Sequence, residues 1–279
     1  MGSQPVAAGF SLTAALFWGT SDFVGGYAVR RTDAFLFTTL AHVSGSLLMI
    51  LLALWQHSPL PARHAVHWSL LAGTFAGFAL AIFYSSLASG KMGLAAPVAA
   101  VLSAAIPAAV GMMREGLPGK LPVLGFVLAG TGIWLISRPE GGARPQGLGL
   151  AVLAGLGFAG YFLCIKQAGA GSALWIAGLS RACSFVVTSA IVVFGRHFQK
   201  MPLSGIALAI FAGAIDVSGS WLFVRATQSG RLDSAVVLSS LYPAVTVLLA
   251  CLLLKEQFTR WRVLGMIAAL AAVPMIAVA

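Results

Sequence analysis

Apolar residues run along this chain in long unbroken stretches. They do not alternate as in a half-buried strand, nor form the one-sided stripe of a surface helix. Ten stretches stand out, near residues 10–28, 35–55, 68–88, 92–113, 121–137, 148–166, 173–194, 203–225, 234–254 and 263–279. A helix rises about 1.5 Å per residue, so roughly 20 apolar residues cross the hydrocarbon of a bilayer. Strands of a membrane barrel would instead alternate apolar and polar residues over about ten positions. Short polar breaks separate the stretches, among them Arg30-Arg31-Thr32-Asp33, Gly90-Lys91 and Arg114-Glu115-Gly116. The pattern predicts an all-α integral membrane protein of ten transmembrane helices, numbered here as spans 1 to 10. No break is long enough to house a water-exposed catalytic module.

Composition agrees with this. Of the 279 residues 59% are hydrophobic and only 9% charged, and the mean hydropathy is +0.95. A soluble domain carries roughly 25% charged residues, so most of this surface faces lipid. Lys and Arg number 17 against 7 Asp and Glu. Nearly all these charges fall in the breaks and form no basic stripe interleaved with aromatics, which argues against nucleic acid as a partner. Cys164, Cys183 and Cys251 lie inside apolar stretches without metal-ligand spacing and read as buried thiols. No Lys or Arg precedes Arg30, so the first stretch reads as a true span and not as a cleaved leader.

The chain also repeats itself. A shift of 140 residues aligns Ala72-Gly73 with Ala212-Gly213, Phe83 with Phe223, Ser89-Gly90-Lys91 with Ser229-Gly230-Arg231, and Val123-Leu124-Gly125 with Val263-Leu264-Gly265. With a one-residue slip Glu115 falls on Glu256. Two repeats are expected, residues 1–140 and 141–279, each of five spans. An odd number of spans sends the second repeat into the membrane from the opposite side. Such inverted repeats are typical of secondary transporters, because exchanging the two repeat conformations turns an outward-open state into an inward-open one. Gly73 and Gly77 form a small-xxx-small pair that suits close helix packing. With a cytoplasmic N-terminus the cytoplasmic breaks hold six Lys or Arg and the outer breaks ten. The charge distribution therefore leans toward an external N-terminus.

Three segments carry a resemblance to a known family. Phe17-Trp18-Gly19-Thr20-Ser21-Asp22-Phe23-Val24-Gly25-Gly26 resembles the opening of the ten-helix EamA-type members of the drug/metabolite transporter superfamily. Ala212-Gly213-Ala214-Ile215-Asp216 fits the same pattern. So does the stretch from Leu241-Tyr242-Pro243 to Leu254-Lys255-Glu256-Gln257, followed by Leu264-Gly265. The resemblance covers essentially the whole chain. It implies a central cavity lined by spans 1, 3, 4, 6, 8 and 9, with spans 5 and 10 at the periphery and both termini in the cytoplasm. One departure is Ser103 at the position matching Pro243; the nearby Pro107 lies four residues on, so the kinks of spans 4 and 9 should differ.

Ionisable groups inside spans are costly and face cavities with partners. Asp22, Arg181 and Asp216 are the three that stand out. Asp22 and Asp216 could bind a cationic group or a proton during transport; either could equally belong to a structural ion pair. For Arg181 the structural pair is the expected role, since span 7 should be peripheral. Trp18 shares a helix face with Asp22, whereas Trp221 lies about 140° around from Asp216. Tyr84 and Tyr161 are further polar aromatics inside spans. Together these aromatics suit a solute pocket or, singly, helix packing. His42 is expected to pack with a hydrogen-bonded neighbour, and His57, His64 and His67 to be solvated loop residues. No metal, cofactor or enzyme motif is present: Gly155-Leu156-Gly157-Phe158-Ala159-Gly160 lies inside span 6, without the strand a dinucleotide site requires.

These features lead to the expectation of a non-enzymatic secondary transporter in the inner (plasma) membrane. It would move a small polar metabolite, an amino acid being one candidate, by alternating access and in the export direction. Proton coupling is open, and a monomer suffices. The competing reading is a membrane-embedded enzyme or flippase acting on a lipid-linked substrate.

Overall fold

The structure, a computed structural model, describes residues 4–88, 92–136, 148–254 and 259–277; the side chains of 84–88, 92–98, 136, 148, 151, 247 and 277 lie outside that description. So do the expected repeat junction at 140, Lys91, Arg138, Arg144 and Lys255 of the charge count, and Glu256. All described elements are helices: α1 (Gln4–Ala28), α2 (Ala34–Trp55), α3 (Arg63–Ala88), α4 (Met92–Glu115), α5 (Lys120–Ile136), α6 (Leu148–Ala168), α7 (Ala173–Phe194), α8 (Leu203–Ser229), α9 (Leu232–Ser239), α10 (Tyr242–Leu254) and α11 (Arg260–Ala277). They make ten spans. Five stretches among the described residues are long and apolar enough to cross a membrane on length and hydropathy alone: 34–55, 63–83, 173–194, 203–229 and 232–254.

Span 9 corrects the expectation of one helix over 234–254: it is two segments, α9 and α10, broken at Ser240 and Leu241. Pro243 explains the break. It has no N–H for the Ser239 carbonyl and its ring crowds the preceding turn; Leu241 N–H turns instead to Leu238 O at 3.3 Å and Ala244 N–H to Leu241 O at 3.0 Å. The start of span 3 also moved, from 68 to Arg63. His64 and His67 belong to the first turns of α3, and His64 Nε2 meets Gln167 O at 2.9 Å. Within the spans many hydroxyls are satisfied by the preceding turn of their own helix, where lipid offers no partner. Ser11 Oγ donates to Ala7 O and Thr13 Oγ1 to Gly9 O, each at 2.8 Å.

Packing follows a two-fold exchange in which each span of the first repeat takes the place of its equivalent in the second. α1 packs on α8 as α6 packs on α3; α2 packs on α8 as α7 packs on α3; α1 packs on the broken span 9 as α6 packs on α4. The self-equivalent pairs are α2 with α7 and α5 with α11. The main interfaces therefore join the two repeats, and neither five-helix unit is a separate body. The ten-helix, two-repeat inverted architecture read from the sequence is present.

Glycine makes these interfaces close, and again in pairs. A Cβ on Gly73 would overlap the Ser180 carbonyl of α7, and one on Gly213 would overlap the Ala41 carbonyl of α2. Gly73 and Gly213 are the residues that the 140-residue shift aligns. Ser184 Oγ donates to Gly73 O at 2.8 Å across the same contact. Without a hydrophobic driving force between helices in lipid, such close backbone approach is a main source of cohesion.

Gly73→Leu and Gly213→Leu should each cost at least about 1–3 kcal/mol of stability through overpacking. Gly26→Ala, where a Cβ meets nothing within 4 Å, should cost far less. Thermal unfolding of the three purified variants in detergent checks the ranking.

Candidate functional site

A cavity sits where the repeats meet, with about 640 Å³ of empty space, its open mouth included. Its walls come from α1 (Trp18, Asp22), α3 (Ala76, Leu80, Phe83), α4 (Ser103), α6 (Phe158, Tyr161, Phe162), α7 (Arg181), α8 (Asp216) and α10 (Tyr242). These are the six spans that the resemblance implied, with Arg181 of span 7 in addition. α7 itself packs against α2, α3 and α8, but the Arg181 side chain is long enough to reach the cavity.

Arg181 is buried and heavily engaged. Its Nε lies 2.9 Å from Asp216 Oδ2, off the N–H direction, so the contact is an ion pair more than an aligned hydrogen bond. Its Nη2 donates to Ser220 Oγ, and that hydroxyl donates to Asp216 O at 3.2 Å. The guanidinium also lies 5.7 Å from the centre of the Tyr161 ring, within cation–π range. The Tyr161 hydroxyl is buried and has no hydrogen-bond partner among the described residues. Asp22, by contrast, has neither hydrogen bond nor ion pair among the described residues and faces the cavity. One acid is thus bound to an internal cation and the other is open to a ligand.

Trp18 is mainly wall. It is buried, packs against Phe162 and Phe223 at centroid distances of 5.8 and 5.6 Å, and donates its Nε1–H to Asp216 O at 3.2 Å. The structure does not bring Trp221 to the cavity. Trp221 packs toward Met49 of α2 and Trp175 of α7, in keeping with its angular distance from Asp216. The Tyr84 side chain lies outside the described residues. His42 departs from expectation: it is 2% exposed, yet its Nε2 has no partner among the described residues.

The sequence reading did not single out Phe158, Phe162, Ser103 or Tyr242 as lining residues. The repeat held a usable signal. The 140-residue shift pairs Trp18 with Phe158, Asp22 with Phe162, and Ala76 with Asp216, and all six line the cavity. Positions are symmetric and chemistry is not. Every charge lies on the wall of α1, α7 and α8, while α3 and α6 give Ala76, Leu80, Phe83, Phe158 and Phe162. The cavity has one charged wall and one apolar, largely aromatic wall.

The model of the EamA-like transporter family matches this chain twice, over residues 6–138 and 145–278. The chain belongs to the EamA-like transporter family. It is accordingly a multi-pass membrane protein of a transporter family in the drug/metabolite superfamily. The uncharacterized Pseudomonas aeruginosa protein PA1977 is 30% identical to this EamA-like chain over 189 residues, 66% of the chain and 62% of that relative's length. A solved crystal structure of a protein matches with a TM-score of 0.82 at 17% identity, covering 99% of each chain, which shows the fold.

Replacing Asp216 by Asn should destabilise this EamA-like protein by on the order of 3 kcal/mol, because Arg181 is left without its counter-charge. The Asp216 side chain keeps 29% exposure, which places the loss at the low end for a buried pair. Asp22→Asn strands no partner and should leave stability unchanged or raised. Thermal unfolding in detergent separates the two, and adding Arg181→Met to Asp216→Asn should recover most of the loss.

Proposed function

We propose that the protein is a secondary transporter that exports a small polar metabolite across the inner membrane by alternating access. The observation that carries this reading is Asp22, a carboxylate without a partner among the described residues, facing a cavity between inverted repeats. An intramembrane acid is expensive to keep, and one left unpaired beside an already compensated Arg–Asp pair is suited to a cation or proton that comes and goes. The two unlike walls support a solute with a cationic end against α1 and α8 and an apolar body against α3 and α6. An amino acid with a large apolar side chain fits this description if its carboxylate stays toward the open mouth. Asp216 holds Arg181 in place, and Tyr161 and Trp18 shape the pocket. The two repeats, taken as 1–140 and 141–279, supply both conformations within one chain, so a monomer suffices.

A lipid-linked substrate for an enzyme would need reactive groups clustered at one membrane interface. Here the acids lie within α1 and α8, and among the described lining residues none pairs a nucleophile with a base.

Proteoliposome uptake of a panel of labelled amino acids and amines tests the reading. Saturable uptake of a panel member, reduced at least about ten-fold by Asp22→Asn, is expected; ten-fold corresponds to roughly 1.4 kcal/mol, modest for a charge-assisted contact. Uptake no higher than in empty liposomes across the panel would overturn it in favour of a lipid-linked substrate. Equal rates with and without a pH gradient, over a range of internal pH, would remove proton coupling while leaving transport in place.

A further inference from the structure

With ten spans the start of α1 and the end of α11 lie at one face of the bundle, the termini face, and there the ends of five helices are tied together with the turn between α8 and α9. Lys166, near the end of α6, pairs with Glu115 Oε1 at 3.0 Å and donates to Thr227 O and Gly230 O at 3.2 and 3.4 Å. Arg231, in the turn between α8 and α9, donates to Glu115 O at 3.1 Å and to Gly116 O. Leu232 N–H donates to Glu115 Oε2 at 3.2 Å, and Arg231 N–H to Gln4 Oε1 of α1 at 3.2 Å. Beneath this layer all of Leu232–Ser239 is buried, and α4 comes close enough that a Cβ on Gly111 would lie 3.0 Å from Asp233 N. α9 thus fills the space between the cavity and the termini face.

The bonds divide into two kinds. Asp233 is fully buried, but its partner Arg231 belongs to the same segment, with Nη2 to Oδ2 at 2.7 Å. That pair can move as one unit and remain compensated. The bonds that tie Glu115 and Gly116 of the first repeat to the second repeat use Lys166, Glu115, Arg231 and backbone groups at helix ends. The side chains of Lys166 and Glu115 keep 30% and 26% exposure. Water can reach these groups when they separate, and partly exposed pairs are individually weak. At the termini face the polar seam between repeats is therefore made of contacts that can open without stranding a buried charge. A permanent staple would place its charges the other way round.

We propose that the contacts of Glu115 with Lys166 and with the Arg231 turn form a latch that holds the termini face shut for part of the cycle and parts to open it. The proposal rests on the alternating-access reading above.

Its test needs no identified solute. In a chain with Cys164, Cys183 and Cys251 replaced, Ala235→Cys places a thiol in α9 at a position 1% exposed. The protein is reconstituted in nanodiscs and treated with a charged, membrane-impermeant methanethiosulfonate. Lys166→Met and Glu115→Gln should each raise the labelling rate about five-fold, the change expected from losing one such contact in a two-state equilibrium. The exchanged pair, Lys166→Glu with Glu115→Lys, should return the rate toward that of the parent and guards against a trivial folding defect. Unchanged labelling in both single variants, or an exchanged pair that labels as fast as the singles, would overturn the latch. Uptake and labelling fail independently: a protein that transports but shows no labelling response loses the latch alone, whereas a labelling response without uptake of any solute counts against the transport reading.

Discussion

A guanidinium cannot be held inside a bilayer without compensation, and the centre of this protein is organised around Arg181. Asp216 supplies the counter-charge, Ser220 a further acceptor and Tyr161 an aromatic face. Each of these brings an element with it: α8 must lie against α7 for the first two, and α6 must approach for the third. Trp18 then donates to the Asp216 carbonyl, which sets the register of α1 on α8 and points the next turn of α1, with Asp22, into the same space. The cavity is thus bounded on its charged side by the groups needed to keep one arginine in lipid. Asp22 is the residue that this account leaves without a structural duty.

The close packing of small residues makes that arrangement possible. Gly73 and Gly213 bring α3 onto α7 and α8 onto α2 at backbone contact, which draws Arg181 and Asp216 within reach of each other. A larger side chain at either position would widen the interface by more than an ion pair tolerates. The same residues are equivalent under the repeat, so the close contact on one side of the two-fold is matched on the other, where Ala41 and Ala76 stand in place of Arg181 and Asp216. The fold duplicates the geometry and reserves the charge for one side.

Much of this was legible in the sequence. Continuous apolar runs gave the spans because lipid imposes one length and one hydrogen-bonding solution on all of them. The constant shift between halves gave the inverted repeat, and the intramembrane charges marked the cavity. Trp18 could be placed with Asp22 because four residues are about one turn; Trp221, five residues beyond Asp216, turned away as helical geometry requires. What escaped depends on side-chain length and on the third dimension. A peripheral span can still send an arginine into a central cavity, and periodicity carries no record of that reach. The break of span 9 had its cause in plain view at Pro243, yet hydropathy averages across a broken helix as readily as across a whole one. Phe158 and Phe162 were ordinary apolar residues until the repeat related them to Trp18 and Asp22.

An alternating cycle requires two states of nearly equal free energy, since a ligand can shift an equilibrium only by its difference in affinity for the two. Inverted repeats approach that condition by symmetry, because each state is close to the other with the repeats exchanged. Every unsymmetric residue then acts as a bias. Arg181 and Asp216 are paired across a contact within the second repeat, so a relative movement of the repeats would not have to separate them. Asp233 has Gly93 at its equivalent position, and its charge too is closed within its own segment by Arg231. The contacts that cross between repeats at the termini face are left to Lys166, Glu115, Arg231, Gln4 and backbone groups at helix ends, whose individual strengths are on the order of 1 kcal/mol. Ion pairs closed within one repeat and weak polar contacts across the termini face keep the bias at that face small, while the helix packing that joins the repeats is matched by the two-fold.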